Sequence, residues 1–149
     1  MTFEEPMHHQ ASRSEMALLA TGVLSFIASF FPWYSATFAG DVAELGVTGT
    51  YNAWHGLMAV GILLVLFSLV VTASGPLLGE EPPPRGLAIS AALLACAGAV
   101  LVLVKSFDLP SLDIPGVTAH LRWGGWLLIA LVLVHAVLCL VRAVQAPRS

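Results

Sequence analysis

The chain has 149 residues, a net charge of −3, 58% hydrophobic residues and 10% charged ones, with a mean hydropathy of +0.88. A soluble domain carries roughly 25% charged residues because its surface must face water, so a single small soluble globule is excluded and the bilayer becomes the solvent. No basic stripe or tail is present, which excludes an electrostatic footprint for nucleic acid, and two cysteines are too few for a disulfide framework.

Residues 1–15 form a polar tail with Glu4, Glu5, Glu15 and Arg13, and they lack the basic start of a signal peptide. The first uncharged run predicts a transmembrane helix over 16–34, with Pro32 near its end as a stop signal. An outside loop over 35–54 follows, in which Val42 to Tyr51 reads as a short hairpin turning at Gly46 and Gly49. The second span covers 55–74 and stops at Ser74-Gly75-Pro76. Residues 75–85, with Glu80-Glu81-Pro82-Pro83-Pro84-Arg85, make a polar turn. The third span, 86–104, and the fourth, 123–141, are 19 residues each, about 28 Å of helix against a hydrocarbon core of ~30 Å. Between them lies a second outside loop, 105–122. Residues 142–149 are the closing tail. Backbone groups in lipid must bond within their own segment, so long non-alternating runs read as helices. The expected fold is all-α: a four-helix membrane bundle, built as two helix–loop–helix hairpins.

Arg13, Arg85, Arg142 and Arg148 lie on one side of this layout, and Lys105 and Arg122 on the other. The excess places both termini in the cytoplasm of a multi-pass cell-membrane protein. Phe30, Phe31, Trp33, Tyr34, Tyr51, Trp54, Phe107, Trp123 and Trp126 all fall at the outside level, as an interfacial aromatic belt does. Ala53-Trp54-His55-Gly56 opens the second helix much as Arg122-Trp123-Gly124-Gly125 opens the fourth, a weak internal repeat. Small residues mark helix contacts in lipid. Thr21, Ser25 and Ser29 on the first helix, and the Ala/Gly face of the third, are the expected interior. The Leu/Val-rich fourth helix is expected to present much of itself to lipid.

His135 is the prime candidate residue, because ionisable groups at mid-membrane are costly. Cys139 and Arg142 share its face at i+4 and i+7. Depth matching puts Thr21 or Ser25, Ser68, and Ser90 or Cys96 within a turn or two of it. Two readings stand: a neutral imidazole bonded to a hydroxyl and joining helices, or a proton or ligand site. Cys96 and Cys139 differ in depth by roughly 10 Å, too far to bridge. No metal site is expected, since His135, Cys139 and Cys96 gain no carboxylate from any span. His8 and His9 read as solvated polar residues. Asp108 is placed to pair with Lys105 and Asp113 with Arg122 as anchors at the water boundary. With Trp54 and Trp123 they form the candidate outside surface. No catalytic set is recognisable, so no enzyme activity and no cofactor are expected.

Phe31-Pro32-Trp33-Tyr34-Ser35, Asn52-Ala53-Trp54-His55-Gly56, Lys105-Ser106-Phe107-Asp108 and Gly124-Gly125-Trp126-Leu127-Leu128 together resemble the uncharacterised small four-helix membrane proteins of actinobacteria. That resemblance implies a fold and no activity or ligand. The outside Trp-rich hairpin also resembles claudin-like tetraspans, although their first-loop disulfide has no counterpart here. The expected role is an accessory or scaffold subunit of an envelope complex, partnered by another membrane protein or by further copies of itself. The alternatives are a small transporter or channel component using His135, and a sensor that binds an envelope ligand through its outside loops.

Overall fold

Ser12 starts the first helix. Its hydroxyl accepts from the Glu15 backbone N–H at 3.3 Å and the Glu15 carboxylate accepts from the Ser12 N–H at 2.8 Å, a capping box that satisfies two orphan donors. In the computed structural model, which describes residues 12–38, 49–78, 84–108 and 117–146, this helix is α1 (Arg13–Ala28). It stops well short of Tyr34. Pro32 has no N–H and restricts the residue before it. The chain therefore unwinds through short-range bonds, Phe30 N–H to Ile27 and Phe31 N–H to Ala28, into an extended strand. The apolar run outlasts the helix because four of its last five residues, Phe30, Phe31, Trp33 and Tyr34, are aromatic.

Three strands then occupy the regions read as loops: β1 (Tyr34–Phe38), β2 (Gly49–Tyr51) and β3 (Val117–Leu121), ordered β2-β1-β3 and antiparallel throughout. The sheet adds to the expected all-α bundle. Tyr51 and its two preceding residues pair with β1, and residues 42–48 of the expected hairpin lie outside the described residues.

Three helices complete the bundle: α2 (Gly56–Leu78), α3 (Arg85–Phe107) and α4 (Trp123–Gln145). Gly56, at φ +55°, lets the chain turn from the sheet into α2 in a conformation other residues rarely take. The backbone of α2 continues through Ser74-Gly75-Pro76. A proline in a last turn costs a single bond, so it ends the helix a few residues later than a strict stop would. Each helix neighbours the next, and α4 returns to α1, closing a ring. Gly56–Ser74, Arg85–Phe107 and Trp123–Gln145 are long and apolar enough to cross a membrane, which makes the chain compatible with a multi-pass membrane protein.

Small side chains line the buried faces of α1 and α3, beside larger core residues such as Met58, Ile62 and Leu128. Ala88, Ala91, Ala92, Ala95, Gly98 and Ala99 form the buried face of α3, and Gly22, Ser25 and Ala28 lie on that of α1. Large apolar residues such as Leu24, Leu63, Phe67, Leu93, Val134 and Val137 point outward. The fourth helix turns much of its Leu/Val surface outward, with Leu133, Val134, Val137, Leu140 and Val141 exposed. Only 39% of its apolar window is buried, the same share as α2 and α3, and Gly124, Leu128, Val132, His135 and Cys139 make a continuous inward stripe.

Glycines set the closest approaches. A Cβ on Gly98 would lie 2.6 Å from the Gly61 carbonyl oxygen and 2.8 Å from Val65 Cγ2, so α2 and α3 touch backbone to backbone there. At the sheet end a Cβ on Gly125 would lie 2.5 Å from Trp33 Cδ1 and 2.6 Å from Leu121 Cδ1. Substituting Gly125→Val should displace the Trp33 ring and cost about 2 kcal/mol, an ordinary overpacking penalty. A lowered unfolding temperature in mild detergent, with a shifted tryptophan emission, is the expected readout.

Candidate functional site

The interior places His135 of α4 between α1 and α2, and the residue is fully buried. Its Nδ1 lies 3.2 Å from Thr21 Oγ1 and its Nε2 lies 3.0 Å from Ser68 Oγ. Both partners belong to the set matched by depth in the sequence. Helical spacing also delivers Cys139, whose Sγ is 3.6 Å from Nε2. Ser90 is exposed and takes no part. Cys96 and Cys139 are both free thiols.

Ser68 Oγ also lies 2.7 Å from the Val65 carbonyl, and Thr21 Oγ1 lies 2.9 Å from the Ala17 and 3.1 Å from the Leu18 carbonyl, so each hydroxyl can donate to backbone and accept from the ring, or turn and donate to the ring. In a neutral imidazole one nitrogen donates to one hydroxyl and the other accepts from the second. Both ring nitrogens thus lie within hydrogen-bond distance of neutral partners, and His135 joins three helices at one point. Intramembrane side-chain bonds are worth about 0.6 kcal/mol each, since the unfolded chain in lipid also finds partners. His135→Leu should cost only about 1 kcal/mol, because Ser68 and Thr21 keep their backbone acceptors. Thermal unfolding of the variant in detergent measures this.

Asp108, Trp54 and Trp123 lie at the sheet end, away from His135. Asp108 is exposed and forms an ion pair with Lys105, in keeping with their spacing. The other expected pair, Asp113 with Arg122, involves a residue outside the described ones, as do His8 and His9. Trp54 donates from Nε1 to Ser29 Oγ at 3.0 Å and its ring sits 5.6 Å from that of Phe30. Trp123 sits 4.9 Å from Phe31. Consecutive phenylalanines after α1 thus each receive the tryptophan that opens one later helix, and each of those helices follows a strand paired with β1. The short motif repeat at Trp54 and Trp123 has this spatial counterpart.

No protein-family model, curated protein or solved structure matches the chain. Among the described residues no group of three or more His, Cys, Asp and Glu side chains is placed to hold a metal ion.

Two further residues emerge only in three dimensions. The carboxylate of Glu15, 4% exposed, accepts from Arg142 Nη2 at 2.7 Å and ties the start of α1 to the end of α4. The Ser12-Arg13-Ser14-Glu15 pattern announces the cap, but nothing local announces Arg142. Trp33 is the other. Its backbone N–H donates to Tyr51 at 2.7 Å and its carbonyl accepts from Arg122 at 2.8 Å. It thereby stitches β2 and the start of α4 to the end of α1. Its buried indole N–H has no partner among the described residues.

Proposed function

We propose that this chain is an integral protein of the cell membrane with four spans and both termini cytoplasmic, acting as an accessory or scaffold subunit of an envelope complex. The observation that carries this reading is the three-stranded sheet held over one end of the bundle. Tyr34 stacks on Tyr51 at 4.8 Å, and Trp33 fastens the sheet to the helices. β3 is an edge strand, unpaired on its outer side among the described residues, and such an edge accepts an extended segment of a partner.

The membrane part of the reading is supported by the inverted packing. Alanines, glycines and hydroxyl-bearing residues share the interior with a few large side chains such as Met58 and Leu128, while large apolar residues such as Leu63, Phe67, Leu93 and Val137 are exposed outside, which water would penalise and lipid favours. Residues 16–28 of α1 cover about 20 Å as helix, and the turn through Phe30, Phe31 and Trp33 supplies the rest of the crossing. Lys/Arg placement supports the orientation. Purification of the tagged chain from its own membrane in nanodiscs, read by mass spectrometry, is the test. One reproducible stoichiometric partner is expected, and isolation of the chain alone sinks the subunit reading.

One observation favours a second reading, in which His135 carries a proton for a small transporter or channel. Thr21 can turn its hydroxyl from Nδ1 to the Ala17 carbonyl, so the imidazole can gain a proton without losing a hydrogen bond. His135→Leu separates the two. A scaffold keeps its cellular phenotype, whereas a proton-coupled carrier loses it.

A further inference from the structure

At the end of the bundle where α1 starts and α4 ends, α3 and α4 leave a groove of about 340 Å³, at the lower end of the ~300–1,000 Å³ range of ligand sites. Ala92 and Ala143 form its buried floor, and Ile89, Leu93 and Leu140 are its exposed walls. Arg85 stands at its mouth. From Arg85 to Leu93 is about 12 Å of helix, most of the ~15 Å depth of one leaflet of hydrocarbon. Arg13, Arg85 and Arg142 all lie at this end, and of these only Arg85 lines the groove. Arg142 is committed to Glu15 on another face of α4, whereas Arg85 has no carboxylate partner among the described residues. The Pro84 cap also leaves the first turn of α3 without a side-chain acceptor, so the positive end of that helix adds to the same field.

We propose that this groove seats an anionic glycerophospholipid, its phosphate on the Arg85 guanidinium and one acyl chain between Ile89, Leu93 and Leu140. The inference rests on the membrane-embedded reading above. An acyl chain matches the apolar walls and their length, and a phosphate matches the one cation at the mouth. The alanine floor leaves the space the chain fills.

The test uses the full chain. Carbonate washing of membranes comes first: recovery in the aqueous fraction overturns the membrane reading itself. For chain retained in the membrane, native mass spectrometry from micelles containing phosphatidylglycerol and phosphatidylcholine with identical tails measures the lipid kept. Phosphatidylglycerol should be favoured about fivefold, the worth of one arginine near an anionic surface. Arg85→Gln should remove that preference, and Ala143→Leu should reduce retention of both lipids by filling the groove. Leu93→Ser, at an exposed position, gives the same reading if Ala143→Leu does not fold. Unchanged preference in Arg85→Gln overturns the proposal, as does unchanged retention in the groove variants. Equal competition by inorganic phosphate assigns a small-anion site and overturns the lipid as occupant.

Discussion

Gly98→Leu should destabilise the bundle by about 3 kcal/mol, the upper end of ordinary overpacking. The first atom added would already lie 2.6 Å from the Gly61 carbonyl oxygen. That oxygen is backbone and cannot rotate aside as a leucine tip can. The rest of the side chain would meet Val65, so α2 and α3 must separate along their length. Gly98→Ala is the sharper form of the same experiment. Alanine gains about 1 kcal/mol of helix propensity over glycine, so a net loss isolates the clash. Gly86→Leu is the control, since a Cβ there meets nothing within 4 Å. Unfolding temperature in mild detergent should fall for Gly98→Leu and stay near wild type for Gly86→Leu. Equal behaviour of the two would mean that the backbones are not in contact.

That contact also marks what is legible in the sequence. The bilayer sets the length and composition of a span, so four apolar runs can be read directly. The alanine and glycine face of α3 follows from spacing alone. Depth along a helix is a one-dimensional quantity, which is why counting residues suffices to match Thr21 and Ser68 to His135. The sheet is not legible. Its strands are three to five residues long, and the Thr37–Thr118 hydroxyl bond joins residues 81 positions apart. Pairing at that distance leaves no local pattern. Hydropathy sets the end of α1 too late because it counts Phe30 to Tyr34 as lipid-soluble whether they are helical or not; Pro32 is the better signal. The outward Leu/Val surface of α4 is legible from composition, but which of its residues turn inward is not: Leu128 and Val132 join Gly124, His135 and Cys139 in the buried stripe, while Leu133, Val134 and Val137 are exposed.

Removing either member of the Glu15–Arg142 pair should cost about 3 kcal/mol, whereas removing both should be close to neutral. Breaking a buried pair strands an uncompensated charge, typically at about 3–5 kcal/mol. Arg142 is 15% exposed at the end of the bundle, which puts the cost at the low end of that range. The double variant Glu15→Leu, Arg142→Leu leaves no such charge, and apolar replacements of a buried pair are often neutral or better. Ser12→Ala should lose about 1 kcal/mol through the cap alone. The pair also gives stability a pH dependence of definite sign. Burial pushes the Glu15 carboxyl up, but the hydrogen bond from Arg142, the Ser12 N–H and the Arg142 charge together outweigh it and hold the group below its usual value of 4.5. A carboxyl with a depressed value in the folded state stabilises fully above its unfolded value and loses that contribution as pH falls through the folded one. Wild-type unfolding temperature should therefore drop as pH is lowered below about 4.5, and the part of the drop due to Glu15 should vanish in Glu15→Gln. Identical pH profiles for the two proteins would show that the pair does not tie α1 to α4.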